Sequence, residues 1–272
     1  MFPFIRIGPL TIGTYGLCIL AGIIIGIGVA LIRAKRRKFP VEDALFLSFF
    51  ALIGVGVGAK ILYLITILPY LIENFQTIFS SWENINAIIG SGFVFYGGLI
   101  GAVLAMWWYT HHFKMDFWES VELLIPSVPL IHAFGRIGCF CAGCCYGIPF
   151  DPPIGIAFTN SPVAPNGIPL FPVQLAEAGL NFLLFFFLLW FARKPRPMGR
   201  ILGAYVVAYA VIRFILEYLR YDYARGILWI FSTSQWISLI LLPIGIWLLA
   251  RKVKEKKQAP CGEPAQAEIE KE

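Results

Sequence analysis

Three positively charged side chains lie inside long apolar stretches of this chain, at Lys60, Arg136 and Arg213. Placing a cation in hydrocarbon costs between about 2.5 and 17 kcal/mol by competing estimates, so each one needs a counterion, a hydrogen-bonding partner or a charged ligand. Arginine suits a phosphate because its planar fork donates two parallel hydrogen bonds. The pattern predicts a site that binds an anion at membrane depth.

The densest polar stripe runs through 209–220, where Tyr209, Arg213, Glu217 and Arg220 recur at helical spacing. At 3.6 residues per turn these four side chains fall on one face of a helix. Arg213 and Glu217 can pair across one turn, and a structural ion pair is the simplest interpretation of the stripe.

The number of buried cations favours a ligand over a purely structural role. The four cations Lys60, Arg136, Arg213 and Arg220 outnumber Glu177 and Glu217, which are the acids expected inside the bundle. An uncompensated cation in a dry bundle is costly. We therefore expect an anionic ligand at this site.

Glycines and cysteines carry weaker signals. Gly97 and Gly101 form a small-xxx-small pattern, typical of close helix packing in membranes; a lipid headgroup lying beside Tyr96 is the functional alternative. The residues Cys139, Cys141, Cys144 and Cys145 crowd into a short segment near His132. Zinc sites usually need two separated ligand pairs, so a disulfide or small apolar packing is favoured, and no metal is expected.

The elements that position these residues follow from composition. The chain has 272 residues, of which 58% are hydrophobic and 14% charged, with a mean hydropathy of +0.75. This composition is typical of a polytopic membrane protein. Spans need about 20 mainly apolar residues, and the chain offers seven candidates: 11–32, 44–68, 93–109, 120–139, 172–192, 201–219 and 234–250.

The distribution of basic residues predicts the orientation. Lysines and arginines concentrate after the odd-numbered spans, at 33–38, 114, 193–200 and 251–271. Because cytoplasmic loops carry an excess of such residues, the N-terminus is expected outside and the C-terminus in the cytoplasm. The fold class is therefore an all-α integral membrane protein with seven transmembrane helices.

The remaining segments complete the predicted organisation. Segment 69–92 has apolar residues at helical spacing and is expected as a helix lying in the membrane interface. Segment 146–171 holds six prolines and is expected as an irregular outer cap. Residues 1–251 would form one membrane domain, followed by a charged cytoplasmic tail over 252–272.

The ordered motifs resemble one family over nearly the whole chain. They are Tyr15-Gly-Leu, Phe95-Tyr96-Gly-Gly-Leu-Ile-Gly, Gly135-Arg136-Ile-Gly-Cys-Phe, Pro172-Val-Gln174-Leu-Ala-Glu177, Arg196-Pro-Met-Gly, the stripe from Tyr209 to Arg220, and Ser234-Gln235. This set is similar to the bacterial prolipoprotein diacylglyceryl transferases. The signature around Arg136 is the most specific of these motifs.

The resemblance implies an enzyme of the bacterial cytoplasmic (inner) membrane. It would transfer the diacylglyceryl group of phosphatidylglycerol to the lipobox cysteine of a prolipoprotein, forming a thioether and glycerol 1-phosphate, with no cofactor and no nucleic-acid partner. The expected catalytic residues are Arg213, Tyr96, Tyr209 and Glu217. The residues expected to bind phosphatidylglycerol are Arg136, Tyr15, Gly97, Gly98, Lys60, Gln174 and Arg220.

Several positions depart from the family pattern. Tyr96 stands at a family histidine, Cys139 and Cys144 stand at an asparagine and a glutamate, and Lys60 stands at an arginine; Phe171 and Ala176 replace a histidine and a tyrosine. Because of these departures, a paralogue with a changed substrate is an alternative hypothesis. Two further hypotheses are a transporter of an anionic lipid or organic anion, and a thiol redox protein that uses Cys139 to Cys145.

Overall fold

Helices form most of the computed structural model, which describes residues 2–8, 10–90, 92–221 and 226–251. The expected tail over 252–272 lies outside the described residues. The helices are α1 (Thr14–Arg36), α2 (Val41–Thr66), α3 (Leu68–Glu73), α4 (Phe75–Phe79), α5 (Trp82–Gly90), α6 (Phe95–His112), α7 (Phe117–Leu124), α8 (Ser127–Ala142), α9 (Val173–Phe191), α10 (Arg200–Leu216) and α11 (Thr233–Ala250). A 3₁₀ turn, Glu217–Leu219, continues α10.

Short antiparallel strand pairs accompany the helices. They are β1 (Phe4–Ile7) with β2 (Leu10–Gly13), β3 (Ile156–Ala157) with β4 (Pro169–Leu170), and β5 (Ile227–Leu228) with β6 (Phe231–Ser232). The class is therefore predominantly helical rather than strictly all-α. The proline-rich segment expected to be irregular contains one of these hairpins, and Phe171 N and Ile148 N donate hydrogen bonds that tie it to Ile148 O and Leu219 O.

Five of the described helices are long and apolar enough to cross a membrane: α1, α2, α9, α10 and α11. The pairs α5 with α6 and α7 with α8 each contain a bend, and counting each pair as one span gives seven. The expected single helix over 120–139 is instead α7 and α8, with a 40° bend between them. Pro126 and Pro129 lie at this bend and lack the N–H that a continuous helix requires.

Segment 69–92 is not the single helix that its periodicity predicts. It contains α3, α4 and α5, separated at Asn74 and at Ser80–Ser81. The rings of Phe75 and Phe79 nevertheless pack together, with centroids 4.5 Å apart, and both side chains are exposed. The apolar face is therefore present, but it is divided among three short helices.

Arg33 belongs to the interior, although its position after the first span suggested a loop charge. It is buried, and it donates from Nε to Leu123 O at 3.0 Å and from Nη2 to Glu122 O at 2.9 Å. The Glu122 carboxylate in turn accepts from Ile201 N at 3.1 Å, at the start of α10. These hydrogen bonds fix α1, α7 and α10 to one another.

The helices that carry the polar motifs pack as neighbours. α8 contacts both α1 and α9, while α10 contacts both α9 and α11. The polar faces of α8, α9 and α10 thus meet inside the bundle. α2 packs against α6 through glycines, since a Cβ at Gly54 or Gly58 would overlap the carbonyl oxygen of Gly101 or Gly97.

The α2–α6 interface yields a stability prediction with a matched control on one helix. Gly58→Ala would place a methyl group against the α6 backbone, whereas Gly56→Ala meets nothing within 4 Å. Overpacking typically costs about 1–3 kcal/mol, while both changes gain similar helix propensity. We expect Gly58→Ala to lower the thermal unfolding midpoint in detergent and Gly56→Ala to leave it equal or higher. Equal midpoints for the two variants would contradict this packing.

Candidate active site

Three adjacent helices supply the charged side chains of the candidate site. His132 and Arg136 lie one turn apart on α8, and Glu177 lies in the second turn of α9. Arg213 lies near the end of α10, and Glu217 begins the 3₁₀ turn that follows. We call these five residues the arginine–glutamate cluster.

Glu177 connects the three helices. Its Oε2 lies 3.1 Å from Arg136 Nε and 3.6 Å from Arg213 Nη1, and its Oε1 lies 3.5 Å from His132 Nε2. Arg136 Nε also donates to His132 Nε2 at 3.2 Å. Glu177 is only 1% exposed, so these contacts are shielded from water and stronger than surface ion pairs.

Arg213 has its own carboxylate in addition to the shared one. Its Nη2 lies 2.6 Å from Glu217 Oε2 and donates to Ser234 Oγ on α11 at 3.0 Å. The ion pair predicted across one turn of this helix is therefore confirmed, and it also bonds to α11.

The expected excess of positive charge is smaller than the sequence indicated. Within the cluster two guanidinium groups meet two carboxylates, so their formal charges cancel. Lys60 is engaged elsewhere, because its Nζ donates to Ile88 O at 2.6 Å and to Ile89 O at 2.8 Å, at the end of α5.

Guanidinium nitrogens remain available despite this pairing. Within the described part of the chain, every hydrogen bond and ion pair of Arg136 goes through Nε, which leaves its terminal Nη1 and Nη2 without such contacts. Arg213 Nη1 is buried and also has no hydrogen-bond acceptor among the described residues. Two terminal nitrogens of Arg136 and one of Arg213 therefore have no hydrogen-bond acceptor among the described residues.

Two of the expected tyrosines and Gln174 lie beside the cluster. The Tyr209 ring packs against His132 in a tilted arrangement, with ring centroids 5.4 Å apart. Tyr209 also lies within electrostatic range of Glu177, Arg213, Arg136 and Tyr96. Tyr15 lies within electrostatic range of Arg136. Gln174 is buried and donates from Nε2 to Cys144 O at 2.8 Å, which fixes the backbone after α8.

The expected glycines and Arg220 occupy other surroundings. Gly97 and Gly98 are buried against α2, where a Cβ would meet Gly58 and Val55, so the packing interpretation of these glycines fits the observed contacts. Arg220 pairs through its backbone with Gly147 and is buried. It lies within electrostatic range of Cys145.

All five described cysteines are free thiols, so the disulfide considered for this segment is absent among them. The sulfurs of Cys139, Cys144 and Cys145 nevertheless lie within 4.8 Å of one another; we call these residues the thiol cluster. Hydrogen bonds from Cys139 and Cys144, followed by the charges of Arg220 and Arg136, lower the pKa of the Cys145 thiol below its usual range.

Two site residues were not singled out from the sequence, namely His132 and Ser234, and Glu177 was expected inside the bundle without an assigned role. His132, which the sequence indicated only as a neighbour of the cysteines, accepts a hydrogen bond from Arg136 Nε. The available signal was spacing: His132 and Arg136 are one turn apart and thus share a face. Glu177 and Ser234 lie in the quoted motifs, yet only the packing of α9 and α11 shows what they contact.

Fold and site together define a polytopic membrane protein with a cluster of arginines and carboxylates inside its helical bundle. Residues 3–251 match the family model described as prolipoprotein diacylglyceryl transferase. The chain belongs to this family.

The chain is similar in sequence to known transferases over most of their length. The chain is 41% identical over 234 residues to the phosphatidylglycerol--prolipoprotein diacylglyceryl transferase of Clostridium tetani, covering 86% of this chain and 90% of the relative. It is 37% identical to the second such transferase of Clostridium perfringens, with 92% and 94% covered, and 35% identical to that of Cupriavidus pinatubonensis, with 94% of each covered.

The shared carboxylate generates a second stability prediction. Glu177→Gln keeps the side-chain shape but leaves Arg136 and Arg213 without their common charge partner. Breaking a buried pair in this way costs about 3–5 kcal/mol, so we expect a clear fall in the thermal midpoint. Glu73→Gln, at an exposed position on α3, is the control and should change little.

A double-mutant cycle isolates the pairwise term. Adding Arg136→Gln to Glu177→Gln should cost less than Arg136→Gln costs alone, because the charge that needed compensation has been removed. Additive losses in the two singles and the double would show that the pair does not interact.

Proposed function

We propose that this protein transfers the diacylglyceryl group of phosphatidylglycerol to the lipobox cysteine thiol of prolipoproteins in the bacterial inner membrane. Its family membership and its relatives' names support this activity. The observation that carries it is the set of guanidinium nitrogens that have no hydrogen-bond acceptor among the described residues: Nη1 and Nη2 of the largely buried Arg136 and Nη1 of the buried Arg213. These suit a lipid phosphate, because a guanidinium fork matches phosphate oxygens.

The reaction breaks one bond and forms another at a glycerol carbon. The thiol sulfur of the prolipoprotein attacks the diacylglyceryl carbon that carries the phosphate ester. A carbon–sulfur bond forms as the carbon–oxygen bond to the phosphate breaks, and glycerol 1-phosphate leaves together with the proton that the thiol loses. Negative charge grows on the departing phosphate where water is scarce. Preorganised donors at Arg136 and Arg213 stabilise that charge without reorganising during the reaction.

Glu177 and Glu217 hold the two arginines in place. Each carboxylate fixes one edge of a guanidinium group, through contacts of 3.1 Å to Arg136 and 2.6 Å to Arg213. The remaining edges then face the substrate in a fixed direction, and less entropy is lost on binding. This assigns Glu217 a positioning role for Arg213.

The thiol proton must leave as the sulfur attacks, since the thiolate is the nucleophile. Tyr96 stands at the family's histidine position. Tyr209 lies beside the arginine–glutamate cluster and within electrostatic range of Tyr96. We assign these two phenols to hydrogen bonding around the attacking thiol and the phosphate. The positive field of the arginines favours the thiolate.

The other expected binding residues act around this centre. Tyr15, Gln174 and Arg220 border the headgroup side, near the turn that follows α8. Gly97 and Gly98 let α6 approach α2 and so set the position of Tyr96. Lys60 donates hydrogen bonds to two carbonyl oxygens at the end of α5 and so helps fix the backbone that precedes α6.

We further propose seven spans in one membrane domain over 1–251, with the N-terminus outside and the tail in the cytoplasm. The support is that the five long apolar helices become seven spans when the bent pairs α5 with α6 and α7 with α8 are each counted as one. An even number of spans would place the basic loops on both sides of the membrane, against the positive-inside tendency.

A topology experiment tests this arrangement. Green fluorescent protein fused after residue 272 should fluoresce, because it folds on the cytoplasmic side and fails when exported unfolded. Alkaline phosphatase fused after residue 92 should be active, because it requires the outer compartment. A dark first fusion together with an inactive second would reverse the orientation.

The transferase proposal is tested with a synthetic lipobox peptide and phosphatidylglycerol, measuring the thioether product by mass spectrometry. Arg136→Lys keeps the charge but loses the planar fork, and we expect about 10²–10³-fold less product per unit time, the loss typical for one oxyanion donor. Arg36→Lys, at an exposed position on α1, is the matched control and should retain activity.

Two outcomes would contradict the proposal. Activity of Arg136→Lys close to wild type would remove Arg136 from its assigned role. Flux of phosphatidylglycerol across liposomes by the wild-type protein, without any covalent product, would favour the transporter instead.

A further inference from the structure

The thiol cluster is a built feature of the fold that the proposed reaction leaves unused. Cys139 lies in the last turn of α8, and the chain reverses after Ala142 through Gly143, which has a left-handed φ of 72°. Gly143 N donates to Phe140 O at 3.2 Å and Cys144 N donates to Cys139 O at 3.1 Å. This is the Schellman pattern of helix termination, and it brings Cys144 back beside Cys139.

Neighbouring segments hold the turn in this conformation. Ser161 Oγ donates to Gly143 O at 3.0 Å, and a Cβ at Gly143 would collide with Ser161, so glycine is required twice over. Cys145 also has a positive φ of 55°, a conformation that costs a non-glycine residue about 1–2 kcal/mol. Tyr221 N donates to Tyr146 O at 3.1 Å on its far side, which helps keep Cys145 oriented.

The three sulfurs are already near coordination distance. They lie within 4.8 Å of one another, whereas three thiolates at about 2.3 Å from one metal ion stand about 3.8–4.0 Å apart. Binding therefore requires sulfur shifts below about 1 Å, which rotation of the half-buried Cys144 and Cys145 side chains can supply. Spacing in the sequence argued against a metal because it showed no second ligand pair; the helix-ending turn makes that pair unnecessary.

The electrostatic surroundings favour a trithiolate site. A divalent cation with three thiolates carries a net charge of −1, and a monovalent cation with three thiolates carries −2. Both Arg136 and Arg220 lie within electrostatic range of Cys145 and offset that charge. Thiolate ligands select soft d¹⁰ cations over Mg²⁺ or Ca²⁺.

We propose that Cys139, Cys144 and Cys145 bind one thiophilic d¹⁰ cation, Zn²⁺ or Cu⁺, at the end of α8. Three thiolates complete a trigonal site for Cu⁺ and leave one position open on Zn²⁺. The three thiol protons are released to solvent on binding, and no electron transfer is involved. The proposal does not depend on transferase activity.

The experiment uses Cd²⁺ as an optical probe of thiolate coordination. Full-length reduced protein in detergent is titrated with Cd²⁺, and the sulfur-to-cadmium charge-transfer absorption gives the stoichiometry. We expect one Cd²⁺ per chain, and the same value for the variant Cys18→Ser/Cys141→Ser/Cys261→Ser, which keeps only the cluster thiols. Displacement by Zn²⁺ in one arm and by chelated Cu⁺ in another identifies the preferred cation.

Single substitutions within the cluster locate the site. Cys144→Ser and Cys145→Ser should each weaken Cd²⁺ binding at least about tenfold, and Cys141→Ser, on the same helix but outside the cluster, should not. Cys144 and Cys145 are half-buried, so these variants remain informative if the buried Cys139→Ser fails to fold. Cd²⁺ should also raise the thermal midpoint of the wild type but not of Cys145→Ser, by ligand linkage.

Three results would overturn the proposal. The first is no charge-transfer band in reduced wild-type protein. The second is loss of binding in the variant that lacks only the other cysteines. The third is a mass two hydrogens lower than expected with two of the three cluster thiols unreactive, which would show a disulfide in their place.

Discussion

One buried carboxylate determines how the polar helices of this bundle fit together. Glu177 contacts Arg136, Arg213 and His132, so helices α8, α9 and α10 are held by a single group that water does not reach. Burying charges is favourable only when geometry compensates for lost hydration. The position of α9 relative to its neighbours is therefore closely specified, and both guanidinium groups receive a fixed direction.

Two kinds of helix–helix interface hold this membrane bundle together. Lipid tails are as apolar as leucine, so helices in a bilayer associate through close packing and polar contacts rather than through the hydrophobic effect. α2 and α6 use the first kind, with glycines that let backbones touch. α8, α9 and α10 use the second. The glycine interface supplies a rigid frame beside Tyr96, while the charged interface carries the candidate chemistry.

The sequence predicts contacts within one helix better than contacts between helices. Arg213 and Glu217 lie one turn apart, so their pairing follows from helical spacing alone, and the structure confirms it. Glu177 and Arg136 belong to different helices, and hydropathy does not specify which faces meet. Counting charges therefore indicated an excess that the α8–α9 contact largely removes.

Local features of the helices account for the other differences between the sequence-based predictions and the structure. Periodicity in 69–92 describes an apolar face correctly but does not register the two interruptions that produce α3, α4 and α5. Arg33 was interpreted as a loop charge because it follows an apolar run. It is instead buried and donates hydrogen bonds to backbone carbonyls of α7. For Arg33 the deciding hydrogen bonds come from the backbone of a neighbouring helix, which a residue pattern does not encode.

The cysteines at the end of α8 change the electrostatics of an otherwise familiar site. Where the resemblance places an asparagine and a glutamate, this chain has Cys139 and Cys144, so a thiol takes the place of that carboxylate within electrostatic range of Arg136. A protonated thiol does not compete with a phosphate for guanidinium donors, whereas a carboxylate does. The proposed phosphate and the proposed trithiolate site would both interact with Arg136. Because a cation with three thiolates carries net negative charge, its binding would reduce the positive field at the proposed phosphate site. Sulfur at these positions makes the charge of the site adjustable, while Glu177 keeps its geometry fixed.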